Sequence, residues 1–136
     1  MVSYNIYPKW YHDVPVEDYL DELYQWIQNE SEGTGKPFLI TEIGAGAIYG
    51  YRTPAHVKWS EEYQVQALKE QLQAVFPGKA AAVFISGSSV MSAYVTAGSV
   101  PRPRTMNNKG IVDEYRRPKL AYEVVKDSYR SLGNYF

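Results

Sequence analysis

Pro37-Phe38-Leu39-Ile40-Thr41-Glu42-Ile43-Gly44 is the stretch on which the reading of this chain turns. Residues 37–41 form a nearly unbroken apolar run without polar alternation, the pattern of a strand covered on both faces. A carboxylate, Glu42, follows at the C-terminal end of that run. Upstream, Ser31-Glu32-Gly33-Thr34-Gly35 has loop composition. Before it, Val16, Tyr19, Leu20, Leu23, Trp26 and Ile27 recur at three- and four-residue spacing, predicting a helix that ends near Glu30, with Asp13 and Pro15 as its expected start. Residues 2–6, bounded by β-branched Val2 and Ile6, suit a first buried strand. Downstream, Ser60-Glu61-Glu62 places a cap residue and two acids at a helix start; Tyr63, Leu68, Leu72, Val75 and Phe76 share one face, and Pro77-Gly78 ends it. Residues 80–85 read as a third strand. A third helix is expected from Pro118, carrying Leu120, Ala121, Val124, Val125, Tyr129 and Leu132 at helical spacing.

The order is β-α-β-α-β-α, an α/β pattern whose crossovers require parallel strands and gather the strand-end loops on one face. Function in such folds collects on that face. Three strands leave two open edges and cannot close a barrel whose eight units need about 250 residues. Residues 38–40 and 83–85 are expected at or near those edges, which makes the free polypeptide marginally stable and prone to self-association.

A chain of 136 residues, 45% hydrophobic and 21% charged, fits one small domain. Its net charge of -1 and pI near 6.1 present no field of one sign, which argues against nucleic acid or an anionic membrane as partner. There is no cysteine, and His12 and His56 are the only imidazoles, so no metal site is expected. The first residues lack a basic segment followed by an apolar run, and no stretch approaches the ~20 apolar residues of a membrane span, so the chain reads as soluble.

The strand-end loops carry the chemistry. The first, Asn5-Ile6-Tyr7-Pro8-Lys9-Trp10-Tyr11, is dense in aromatic rings with polar edges. Such rings stack on the apolar faces of sugars while a Tyr hydroxyl bonds a sugar hydroxyl; taken singly, Tyr7 and Trp10 read first as core. The second begins with Glu42, which alone would be an ordinary strand-end acid. The third runs some thirty residues, longer than most connections, and contains Asn107-Asn108-Lys109-Gly110, by itself a respectable turn.

Taken together, Asn5-Ile6-Tyr7, Trp10-Tyr11, Ile40-Thr41-Glu42-Ile43-Gly44, Trp59-Ser60-Glu61-Glu62-Tyr63-Gln64, Asn107-Asn108-Lys109-Gly110-Ile111 and Arg117-Pro118-Lys119 resemble the C-terminal part of glycoside hydrolase family 2, in the order and spacing of its β-glucuronidases. The resemblance implies a partial (β/α)8 TIM barrel made of the last three βα units, with residues 1–136 forming the C-terminal portion of a catalytic domain. It implies Glu42 as nucleophile, Asn107 and Lys109 as the pair that holds the C6 carboxylate of the sugar, and Tyr7, Trp10 and Tyr11 as pocket aromatics. An ionised Glu attacks the anomeric carbon while a second carboxylic acid protonates the leaving oxygen. A Lys ammonium beside an Asn amide favours a uronide over a neutral galactoside. No cofactor is implied; a homo-oligomer and a cytoplasmic location are what the resemblance suggests for the complete enzyme.

Two departures matter. The family's general acid is a Glu after an Asn on an earlier strand, whereas the one Asn-Glu here, Asn29-Glu30, falls at the end of a predicted helix. The earlier strands and preceding β-sandwich domains are also expected to be missing, together with the true start of the protein. Ser86-Gly87-Ser88-Ser89-Val90-Met91-Ser92-Ala93-Tyr94-Val95 stands where the family has an aromatic-rich strand; a one-base deletion near Ile85 compensated before Pro101, or a divergent loop, both account for it. Three functional readings stay open: the nucleophile-bearing piece of a retaining β-glucuronidase, an inert fragment, or a family 2 enzyme for another uronide or a neutral β-glycoside such as a β-galactosidase.

Overall fold

The computed structural model describes residues 1–30, 32–76, 82–85, 102–103 and 106–133. The segment 86–99, where a frame change or divergent loop was expected, and Thr105 lie outside them. Six elements alternate: β1 (Val2–Asn5), α1 (Val16–Asn29), β2 (Phe38–Ile43), α2 (Glu61–Val75), β3 (Ala82–Ile85) and α3 (Ala121–Gly133). The strands form one parallel sheet in the order β1-β2-β3, the arrangement of three successive βα units of a barrel.

β2 is therefore the central strand. Residues 38–40, expected at or near an open edge, are paired on both sides, and the edges fall to β1 and β3. A parallel sheet built by two crossovers places its middle sequence segment in the middle only when both neighbours wind the same way, which the element order alone does not state.

The core lies between the sheet and the helices. Ile40 and Ile43 of β2, Leu20 and Ile27 of α1, and Leu68 of α2 are fully buried, and Phe38, Leu72, Val75, Ala121 and Val125 join them. Truncating one such aliphatic side chain to Ala costs about 2–5 kcal/mol. Trp26, assigned by spacing to the buried face of α1, is 41% exposed and meets Tyr4 edge-on at 5.9 Å. Leu120 and Tyr129 are likewise partly exposed, at 37% and 40%.

Helix starts differ in quality. In α2 the Ser60 Oγ accepts from the Tyr63 N–H at 3.1 Å, with Glu61 and Glu62 in the first turn, as the sequence predicts. α1 instead has Pro15 at its N-cap and no side-chain cap, so Asp13 does not play that part. α3 begins at Ala121 rather than Pro118, because Pro118 is bridged to Val112 and the Lys119 N–H donates to the Ile111 carbonyl at 2.9 Å, while the Leu120 N–H donates to Glu61 Oε2 at 2.6 Å. Among the described residues no helix is long and apolar enough to cross a membrane.

Candidate active site

Glu42 owes its direction to an irregularity in β2. From Tyr4 to Asn5 is one step in β1, while the paired positions in β2, Ile40 and Glu42, are two steps apart. On the other side Val83 to Ile85 is two steps and Ile40 to Ile43 is three. β2 thus holds one residue more than each neighbour. Strict alternation would put Glu42 on the same face as Phe38 and Ile40, under the helices. The extra residue lets Ile43 take the next core position, fully buried, and turns Glu42 to the other side.

There the Tyr7 hydroxyl donates a short hydrogen bond to Glu42 Oε2. Next to Glu42, the Thr41 hydroxyl donates to Asn5 Oδ1 at 2.5 Å, tying the ends of β1 and β2. The Tyr7 ring meets the Tyr11 ring edge-on at 5.4 Å. Lys109, only 7% exposed, brings its ammonium 3.9 Å from the Tyr7 ring centre and 4.8 Å from that of Tyr11, and donates to the Tyr11 hydroxyl at 2.8 Å. Cation and ring faces attract one another strongly when water is excluded. Burial alone would raise the Tyr11 phenol, but the Lys109 hydrogen bond and charge, with Arg102 farther off, outweigh it and hold the phenol below its ordinary value.

The carboxylate of Glu42 and the ammonium of Lys109 are thus separated by a single tyrosine ring. The Asn107 Oδ1 accepts from the Lys109 backbone N–H at 3.1 Å, an Asx turn that fixes the approach of the lysine. Glu42, Lys109, Asn107, Tyr7 and Tyr11 therefore gather from three strand-end loops at one mouth. Trp10 adjoins them through Tyr11, whose ring it meets edge-on at 6.4 Å, and its indole, 7% exposed, is also edge-on to Trp59 at 4.8 Å and near Tyr63 at 6.2 Å. Lys58 donates to the Trp10 carbonyl at 2.8 Å.

Behind this mouth lies a set of buried polar side chains whose roles the sequence reading did not assign. Gln71 of α2 donates to the Pro8 carbonyl at 2.8 Å and reaches the Gly44 carbonyl at 3.5 Å. Glu61 accepts from the Gly50 N–H at 2.7 Å and from Leu120, and pairs with Arg52 at 3.2 Å. Gln64 and Lys119 are also buried and bond to loop carbonyls. Asp113 accepts from the backbone of Tyr115 and Arg117 and from the Arg117 guanidinium, which stacks on Tyr49 with its centre 4.1 Å from that ring. The available signal was the placement of Gln64 and Gln71 seven residues apart on the stripe of Leu68, Leu72 and Val75, where an amphipathic helix ordinarily puts apolar residues.

Asn29 is the last residue of α1 and Glu30 follows as its C-cap, its N–H bonded to the Trp26 carbonyl at 2.9 Å. The chain's only Asn-Glu pair is thus a helix terminus.

The chain is 28% identical over 138 residues to a β-glucuronidase of Paenibacillus borealis, covering 99% of this chain and 22% of that protein. It is 28% identical over 135 residues to the β-glucuronidase of Canis lupus familiaris, covering 98% of this chain and 21% of that protein. Among solved structures, a GH2 β-galacturonidase from Eisenbergiella tayi bound to galacturonate is 82% identical with a TM-score of 0.93, over 99% of this chain and 24% of that one. The chain therefore spans roughly a quarter or less of the length of the relatives it matches. A family model described as glycosyl hydrolases family 2, TIM barrel domain, matches residues 1–134, and with three parallel βα units opening on one mouth the chain belongs to that family.

Proposed function

We propose that this chain carries the nucleophile and the uronate-recognition half of a retaining β-uronidase, with β-galacturonides as its first substrate class. The supporting observation is the sequence of contacts from Glu42 through Tyr7 to Lys109, which sets an attacking carboxylate and a carboxylate-binding cation across one ring. Glu42 would attack the anomeric carbon, forming the glycosyl-enzyme and releasing the aglycone oxygen, which takes its proton from a second carboxylic acid. Water then attacks the same carbon, giving its proton to that second carboxyl group, now a carboxylate, and Glu42 departs as carboxylate. The Tyr7 hydroxyl orients Glu42 by donating to its Oε2. Lys109, displaced from Tyr11, would meet the sugar's C6 carboxylate with Asn107 beside it.

Glucuronide was the substrate read from the sequence, and the relatives at 28% identity carry that name. Galacturonide is preferred because the 82% identical structure is a β-galacturonidase. The two sugars differ at C4, and a Lys-Asn pair aimed at C6 serves both. The second carboxyl, about 5–5.5 Å from the first in retaining enzymes, is assigned to residues beyond this chain, because Asn29-Glu30 closes α1. On that ground the chain by itself is expected to be inert.

The test is hydrolysis of aryl β-galacturonide, β-glucuronide and β-galactoside by the full-length protein that carries this chain and by its Lys109→Ala variant. Uronide hydrolysis with the galacturonide ahead, and loss of the uronide preference in the variant, are expected. Equal turnover of uronide and neutral sugar by the unaltered protein would overturn the proposal.

A further inference from the structure

We infer that Gln64 and Lys119 are positioning residues for substrate selection: buried behind the mouth, they fasten the Asn107–Gly110 turn to the loop after Glu42 and so set the span between attack and uronate capture. The inference rests on the β-uronidase reading. Gln64 of α2 is fully buried, and its Nε2 donates to the Ala45 carbonyl at 2.8 Å, the Lys109 carbonyl at 3.1 Å and the Gly110 carbonyl at 3.3 Å. Lys119, 2% exposed, donates from Nζ to the Ala47 carbonyl at 2.7 Å and to the Asn108 carbonyl at 2.9 Å. Between them the Ala47 N–H donates to the same Asn108 carbonyl at 2.9 Å. Two side chains thus join two loops at two successive points, holding the carbonyls of Asn108, Lys109 and Gly110 at and beside the residue whose ammonium enters the mouth.

This arrangement is poor economy for stability alone. Gln64 Oε1 has no hydrogen-bond partner among the described residues, and an unsatisfied buried acceptor is destabilising. Lys119 keeps an ammonium where water is excluded, which favours its neutral form. Apolar side chains of similar size would fill the same space without either penalty, at the cost of removing the donors that these loop carbonyls accept from. What only donors achieve here is to hold carbonyls of separate loops at fixed spacing, and a misplacement of about 1 Å in such a constellation is enough to cost a large factor in rate.

The test uses the full-length protein carrying Gln64→Leu, Lys119→Met or Lys119→Gln, with kcat and KM measured on aryl β-galacturonide and aryl β-galactoside. Expected is at least a tenfold fall in the ratio of kcat/KM for uronide over neutral sugar in Gln64→Leu and Lys119→Met, carried mainly by uronide KM, with part of the ratio restored in Lys119→Gln, which retains a donor. An equal loss on both sugars, or an unchanged ratio, would overturn the inference. Should Gln64→Leu fail to fold, the two Lys119 variants decide by the same criteria. If Lys109→Ala leaves the preference intact, the β-uronidase reading itself falls, a result separate from any seen with Gln64 or Lys119.

Discussion

Gly46 offers a sharp test of how the mouth is supported. It is buried in the loop after β2, and a Cβ built on its backbone would stand 2.7 Å from Trp59 Cζ3, 2.8 Å from Trp10 Cη2 and 3.0 Å from Trp10 Cζ2. Carbon atoms pack best at about 3.5–4.0 Å. Gly46→Ala therefore drives a methyl group into two indoles at once, each short by roughly 0.5–1 Å. Neither ring has the freedom of a Met or Lys end: they stand edge-on to each other at 4.8 Å, and the Lys58 ammonium lies 5.5 Å from the Trp10 ring centre. Overpacking of a filled core costs about 1–3 kcal/mol, and with two rigid neighbours the upper half of that range is expected. With a urea dependence of about 1–3 kcal/mol per molar, the unfolding midpoint should fall by roughly 1 M, followed by tryptophan fluorescence. Gly50→Ala is the contrast: no atom lies within 4 Å, but φ is +81°, so its cost is backbone strain of about 1–2 kcal/mol. A Gly46→Ala midpoint equal to that of the unaltered protein would refute the claim that this glycine exists to let the indoles close on the loop.

Two further predictions concern stability. Ser60→Ala removes the acceptor for the Tyr63 N–H and should lower unfolding free energy by about 1 kcal/mol, with Ser60→Thr largely preserving it; equal urea midpoints for the Ala and unaltered proteins would contradict the cap. Burial pushes the Lys119 ammonium down from 10.5 to about 8, opposed by Glu61, Asp113 and Glu114. Below pH 8 folded and unfolded states both hold this proton; between about 8 and 10.5 only the unfolded state does, so the group's contribution to stability rises with pH across that window. Relative to Lys119→Met, the unaltered protein should gain at most about 3 kcal/mol there, and a pH-independent difference in urea midpoints would contradict it.

The six elements and their order were legible because long amphipathic or apolar segments report their own periodicity. α2 shows this best, since its cap and its first-turn acids sit where local physics requires them. The start of α1 was misread because an Asp two residues before a proline resembles a cap, while the chain turns into the helix at Pro15 itself. Trp26 and Leu120 were misplaced because spacing reveals the centre of a helical stripe but not its width. For the site, the resemblance named residues that the fold brings together, yet it could not distinguish Tyr7, which touches Glu42, from Trp10, which packs on Tyr11 and Trp59. Gln64 and Lys119 entered only as members of resembling motifs and Gln71 not at all, because the partners of these buried donors are main-chain carbonyls of distant loops, which leave no trace in side-chain pattern.

The unequal step count of β2 against its neighbours means that the aim of Glu42 depends on how many residues precede it, more than on what those residues are. Exchanges among Leu39, Ile40 and Thr41 that keep their bulk leave the carboxylate facing outward, whereas shortening this strand by one would swing it beneath the helices while sparing every side chain that takes part. Anyone moving the Thr-Glu-Ile triplet to another scaffold must carry the surplus residue with it, because the triplet alone carries the chemistry without the direction.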